Sequence, residues 1–223
     1  MAELELNRLI DHTLLKPEAT PDDIRRICDD AKLYEFFSVC VNTHYVPLVA
    51  REVSGTRVKV CSISGFPLGA VDMAVKAFEA ERAVDAGADE IDMVLNIGAL
   101  KAGDAGLVRD DIAGVVEASD GVLVKVIIEA ALLTDDEKVT ACCIAMDAGA
   151  GFVKTSTGFG PPGANARDVA IMRGTVGPGF GVKASADIRT AEFALELVEA
   201  GANRIGTSAG VQIMNEWSKK TGH

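Results

Sequence analysis

One short phrase occurs three times in the chain: Ala86-Gly87-Ala88-Asp89-Glu90-Ile91, Ala148-Gly149-Ala150-Gly151-Phe152-Val153 and Ala200-Gly201-Ala202-Asn203-Arg204-Ile205. Each reads Ala-Gly-Ala-x-x-(Ile/Val), follows a segment with apolar residues at i, i+3 and i+4, and enters a short run of β-formers. A glycine placed there ends a helix by taking positive φ, after which the chain extends into a strand. The phrase is the helix-to-strand joint of a repeated βα unit, and alternating units of that kind build a parallel sheet. Expected strands cover residues 9–14, 36–42, 57–65, 90–97, 122–129, 151–156, Gly181–Ser185 and Arg204–Thr207. Helical spacing fills, among others, 22–33, 71–86, 135–148 and 190–200. Thr20-Pro21-Asp22-Asp23 and Thr134-Asp135-Asp136-Glu137 supply caps with acids in the first turn.

Eight strands in 223 residues, with no linker and no break in composition, predict a single α/β domain over 1–223, a (β/α)8 TIM barrel. A doubly wound open sheet is the alternative. It would want a phosphate fingerprint after the first strand, and Leu14-Leu15-Lys16-Pro17 is not one. Aromatic residues make up only 5%, so the core is built mainly of Ala, Val, Ile and Leu. A net charge of -11 with no basic stripe argues against nucleic acid as a partner. No apolar run approaches the roughly 20 residues of a membrane span. Five cysteines without C-x-x-C spacing, and a mixed polar and apolar start, predict reduced thiols in a cytoplasmic protein. His12, His44 and His223 are scattered and predict no metal site.

Against this background the charged residues inside apolar strands stand out, and in a barrel the site lies at the strands' C-terminal ends. Lys154 sits in Gly-Phe-Val-Lys-Thr-Ser-Thr-Gly, and Lys183 in Gly-Phe-Gly-Val-Lys-Ala-Ser. Burial disfavours an ammonium, and a neutral amine is the nucleophile that forms a Schiff base with a carbonyl. Two such lysines are expected to depress each other further. The alternative places one or both amines in water at a strand end. Asp92, between Ile91 and Met93, either shuttles protons or forms a structural ion pair with a lysine. Glu90 shares its strand face and is expected near solvent. Lys125 and Glu129, four apart, are expected to point the same way and form a buried pair of supporting role. Lys59 faces outward, and Cys40 is either a core residue or part of the pocket wall. Gly206-Thr207-Ser208-Ala209-Gly210, opening a final helix after the last strand, suits a phosphate.

These stretches, with Ile10-Asp-His-Thr-Leu-Leu-Lys-Pro17, Val39-Cys-Val-Asn42, Gly65-Phe-Pro-Leu-Gly69 and Lys125-Val-Ile-Ile-Glu129, resemble the 2-deoxyribose-5-phosphate aldolase family over nearly the whole chain. The resemblance implies a class I aldolase that cleaves the sugar phosphate reversibly to acetaldehyde and glyceraldehyde 3-phosphate, with no cofactor or metal. It implies Lys154 as the Schiff-base lysine, Lys183 as the neighbour that keeps it deprotonated and Asp92 as the proton-handling carboxylate. Asp11 and Thr13 match groups around that carboxylate's water, and Cys40 matches a pocket cysteine open to aldehydes. Thr157, Gly158, Ser208 and Ala209 match sugar and phosphate contacts. Barrels of this size commonly pair through outer helices, so a homodimer is expected. A Schiff-base lyase of the transaldolase kind and a sugar-phosphate binding protein are the competing readings.

The chain departs from the family pattern in three places. Ala186-Asp187 stands where the family has Gly-Gly, and Asp187 either faces the phosphate, weakening its binding, or turns outward and caps the next helix. Gly160-Pro161-Pro162-Gly163 stiffens the loop after Lys154. The chain ends at His223 without the tyrosine that some members place over the site.

Overall fold

The computed structural model describes residues 4–160 and 162–221. Its eight strands are β1 Ile10–Leu14, β2 Ser38–Val41, β3 Lys59–Ser64, β4 Glu90–Val94, β5 Leu123–Ile127, β6 Phe152–Lys154, β7 Gly181–Ser185 and β8 Arg204–Thr207. They pair in parallel in sequence order, and β8 closes on β1 through Asp11 opposite Gly206. The closed barrel excludes the open-sheet alternative. Around it lie α1 Pro21–Leu33, α2 Val46–Glu52, α3 Met73–Asp85, α4 Ile97–Lys101, α5 Ala105–Ala118, α6 Asp135–Asp147, α7 Ala166–Val176, α8 Ala191–Glu199 and α9 Gly210–Thr221. Among the described residues no helix is long and apolar enough to cross a membrane.

Local chemistry explains the joints. Gly87, Gly149 and Gly201 have φ of 107°, 85° and 115°, the left-handed region that lets each repeat turn from helix into strand. Thr20 and Thr134 close reciprocal capping boxes with Asp23 and Glu137. Several expected strands run too far at their C-terminal ends, as in 90–97 and 122–129. The reason is that the chain stays apolar and buried beyond the ladder, at Leu95 and Ile128. Helices α5 and α7 were not among the ranges named from spacing; Gly106, Gly114 and Gly174 dilute their apolar stripes.

Period two splits most strands between two environments. Ile91, Met93, Val124, Val126, Val153, Val182 and Ile205 join the apolar layer between barrel and helices. Their neighbours Glu90, Asp92, Lys125, Lys154, Lys183 and Arg204 meet inside the barrel through the ion pairs described below. A separate buried pair, Lys76 Nζ with Asp111 Oδ2 at 2.5 Å, ties α3 to α5; the same amine donates to Val94 O at 2.9 Å. That bond anchors the end of β4, two residues beyond Asp92.

Where β6 and β7 pair, Phe152 lies opposite Gly181. A methyl group at Gly181 would overlap the Phe152 ring. Gly181→Ala is expected to cost about 1–3 kcal/mol, the range for overpacking a tight core. Urea unfolding monitored by circular dichroism checks it; an unchanged midpoint would contradict the packing argument.

Candidate active site

Four cationic and three anionic side chains meet inside the barrel. Asp92, in mid-β4, is fully buried; its Oδ2 lies 2.7 Å from Lys154 Nζ and 2.8 Å from Lys183 Nζ, and its Oδ1 2.8 Å from Lys125 Nζ. Lys183 also meets Asp11 Oδ2 at 2.5 Å. Lys125 meets Glu90 Oε2 at 2.7 Å. Arg204 completes the ring, 2.9 Å from both Asp11 and Glu90, with its guanidinium 3.4 Å above the Phe37 ring. The strand register creates these contacts: Lys154 is opposite Lys183, Lys183 opposite Arg204, and Asp92 opposite Lys125.

The charges hold one another against burial. For Asp92 burial alone would raise the pKa, but Lys125, Lys154 and Lys183 outweigh it and hold the carboxyl well below the usual range. Burial likewise opposes the charge on Asp11, and Lys183 and Arg204 overcome it. Lys183 is pulled down by burial and lifted further by Asp11 and Asp92, so its net shift is upward. Lys125 is raised well above the ordinary lysine value in the same way, chiefly by Asp92. For Lys183 this corrects the expectation that its neighbour on β6 leaves it depressed. Carboxylates sit between the amines, so Lys183 is a stable ammonium.

Lys154, 3% exposed, is the member of this cluster that opens on a cavity of about 280 Å³ at the C-terminal mouth of the barrel. Thr13, Thr157, Gly158, Asp187 and Ser208 also line it, as do Lys16 and Arg189. Asp92, Lys183 and Asp11 lie beneath it. Asp11 accepts from Ser38 Oγ at 2.6 Å, and the Thr13 hydroxyl donates to Asp11 O at 2.9 Å. Lys16 and Arg189 were not singled out from sequence; their signal is position alone, in the segments that follow β1 and β7.

Several expectations need correction. Glu90 is buried, because Lys125 and Arg204 draw it into the barrel. Lys125 and Glu129 do not pair. Glu129 lies past the end of β5 with φ 49°, which breaks the two-residue alternation, and its carboxylate instead accepts from Thr157 N and Oγ1. The Thr157 hydroxyl donates to Glu129 and accepts from Phe159 N–H at 3.1 Å, so it reaches the cavity already engaged. Cys40 is not open to the cavity; it is wholly buried in a small apolar cluster with Leu15, Cys61 and Ile63. Ala209 lies outside the cavity wall, and its N–H is taken by Thr207 Oγ1 at 2.9 Å.

Asp187 lies on the cavity rim with its side chain 65% exposed and 3.5 Å from Arg189. It does not cap the next helix; Thr190 does, accepting from Phe193 N–H. Ala186 and Asp187 have φ of 77° and 60°, so the backbone adopts there the conformation that suits glycine, at a cost of about 1–2 kcal/mol per side chain. Gly163 packs against Ala186, Pro161 lies outside the described residues, and so does the chain end at His223.

Cys40, Cys61 and Asp92 offer ligand atoms within 4.8 Å of one another. Their surroundings do not suit a metal ion: both Asp92 oxygens are bonded to ammonium groups, whose charges would repel a divalent cation. The Cys61 thiol, pushed up by burial, donates to Asp92 Oδ1 at 3.3 Å.

Removing one carboxylate from this cluster leaves cations buried without compensation. Glu90→Gln is expected to destabilise the fold by about 3–5 kcal/mol. Urea denaturation at neutral pH measures it, and a loss under 1 kcal/mol would mean that water solvates the cluster.

A family model described as DeoC/LacD family aldolase matches residues 7–216. The chain is 58% identical over 211 residues to a deoxyribose-phosphate aldolase of Streptococcus gordonii, covering 95% of this chain and 96% of that one. It is 57% identical over 213 residues to one of Enterococcus faecalis, covering 95% and 97%. Among solved structures, the tetrameric deoxyribose phosphate aldolase of Aeropyrum pernix superposes with a TM-score of 0.89 at 35% identity, over 98% of this chain and 92% of that one.

Proposed function

The chain belongs to the DeoC/LacD family of aldolases, and from that premise we propose that it cleaves 2-deoxyribose 5-phosphate reversibly to acetaldehyde and glyceraldehyde 3-phosphate through a Schiff base on Lys154. The observation that carries this reading is the Lys154–Asp92–Lys183 triangle at the floor of the mouth cavity. The connected cluster has four cationic groups against three carboxylates. Lys125 and Lys183 are each gripped by two carboxylates, and Arg204 keeps its charge. Lys154 touches one carboxylate oxygen and faces the cavity, the position that suits the nucleophile.

Neutral Lys154 adds to the C1 aldehyde of the open-chain sugar, and loss of water gives an iminium. The C3 hydroxyl gives up its proton, the C2–C3 bond breaks, and its electron pair passes into the iminium to form an enamine. Glyceraldehyde 3-phosphate leaves. Protonation of the enamine carbon and hydrolysis then release acetaldehyde and restore the amine. Asp92, 2.7 Å from Lys154 Nζ, is the proton carrier, acting through water on the hydroxyl and the enamine. Lys183 keeps its own charge beside it, gripped by Asp11 and Asp92. Lys16, Arg189 and Ser208 hold the phosphate end, with Thr157 and Gly158 along the sugar.

The unbridged cysteines support a reducing, cytoplasmic setting. A homodimer fits the outer face of α3, where Val75 and Phe78 are exposed one turn apart.

Incubation with acetaldehyde and borohydride is expected to leave one stable adduct per chain, on Lys154 by peptide mass mapping. An adduct on Lys183 instead, or none, would falsify the assignment. Asp187 opposes a phosphate dianion across solvent by about 1 kcal/mol, because an exposed charge is strongly screened. Asp187→Gly is therefore expected to raise the kcat/KM of deoxyribose 5-phosphate relative to deoxyribose by roughly fivefold. An unchanged ratio sinks this role for Asp187.

A further inference from the structure

At the end of the barrel opposite the mouth, three segments that lead into strands converge: the turn Leu6–Leu9 before β1, Glu35 before β2 and residues 55–58 before β3. Arg8, Lys32, Glu35, Thr56 and Arg57 line a cavity of about 300 Å³ there, which the reaction above does not use. Arg8 is held in place. Its Nη1 donates to Glu35 O at 2.9 Å and to Phe36 O at 3.0 Å, and its guanidinium lies 5.4 Å from the centre of the Phe37 ring. Both bonds use the same nitrogen. Among the described residues the edge formed by Nε and Nη2 carries no hydrogen bond, and Arg57, exposed on the same wall, has neither a hydrogen bond nor an ion pair. Burial, and then the like charge of Arg57, pulls the Arg8 guanidinium below the ordinary arginine value, with Glu35 and Glu5 offsetting part of the effect. Lys32 is already paired with Asp29 at 2.8 Å, and the Thr56 hydroxyl donates to Val53 O at 2.6 Å. A chain with a net charge of -11 thus sets three cations and one carboxylate around a single space.

We propose that this cavity binds a phosphate group, as the free ion or at the end of a small ester. No residue lines both this cavity and the mouth cavity, so the site is separate from the one onto which Lys154 opens, and the inference does not depend on the role of Lys154. The open edge of Arg8 presents two parallel N–H donors, which match two oxygens of one phosphate. A dianion between Arg8 and Arg57 replaces their repulsion with two attractions, and Lys32 adds a third cation at the rim. Glu35 opposes the ion and moderates its affinity. The carbonyls that fix Arg8 place the donors before the ligand arrives, so little side-chain freedom is lost on binding.

The test is titration calorimetry at constant ionic strength with inorganic phosphate, glycerol 3-phosphate and, as a control, glycerol. It uses the unaltered protein and three variants. Arg189→Glu disables the mouth and is expected to leave one equivalent of phosphate bound. Arg57→Glu, a change at an exposed position, is expected to weaken that equivalent at least tenfold. Arg8→Lys keeps the charge but loses the paired donors, and is expected to weaken it severalfold. Binding of inorganic phosphate alone identifies the free ion as the ligand, and equal or tighter binding of glycerol 3-phosphate identifies an ester. Loss of all phosphate binding in Arg189→Glu, an unchanged isotherm in Arg57→Glu, or glycerol binding as well as its phosphate overturns the site.

Discussion

Asp92 is the point on which the rest of the structure turns. A carboxylate with no exposure to water keeps its charge only because three lysine side chains surround it, and those amines are tolerable inside the barrel only because of Asp92, Asp11 and Glu90. Each member would be costly alone. Together they make a barrel interior of opposed charges where a structural protein would place branched aliphatics. The apolar core has moved outward, to the layer between strands and helices, and it provides the rigidity with which the charges are held.

That division links stability to chemistry. The lower members of the cluster, Arg204 with Glu90 and Asp11, are saturated with partners and rest on Phe37. The upper member, Lys154, has a single carboxylate contact and an open side. A gradient from fully paired to partly paired charge thus runs from the closed end of the barrel to the mouth, and reactivity appears where pairing runs out. Three strained residues lie at the same end: Glu129, Ala186 and Asp187 have positive φ in loops that follow strands, whereas Glu35 and Asp120 precede β2 and β5. Glu129 uses that conformation to hold Thr157, and through it the segment after Lys154.

The repeated Ala-Gly-Ala phrase, the capping boxes and the eight short β-rich runs were enough to read the barrel, because each depends on interactions within a few residues. Lys154, Lys183 and Asp92 were legible as a group because charge inside an apolar strand is expensive wherever the strand lies. Glu90 and Glu129 were misjudged for the same underlying reason. Their environments depend on partners far away in the chain, Arg204 and Thr157, and on where the two-residue alternation stops. Phe159, Lys16 and Arg189 carry no anomaly of their own; ordinary residues at loop positions become site residues only when several loops converge.

By itself, the sequence determined the order and type of the elements, the closed parallel sheet they imply, and which lysines and carboxylate would need one another, since helix signals, alternation and the cost of buried charge are local properties. Tertiary structure alone decided how the charges are shared. Strand register set Lys154 opposite Lys183 and brought Asp92 between them, which turned an expected pair of suppressed amines into one stable ammonium and one amine facing the cavity. The physical reason is distance: the Coulomb energy that fixes a buried proton changes over a few ångströms, and only the closed barrel sets distances on that scale between residues as far apart in the chain as Asp11 and Arg204.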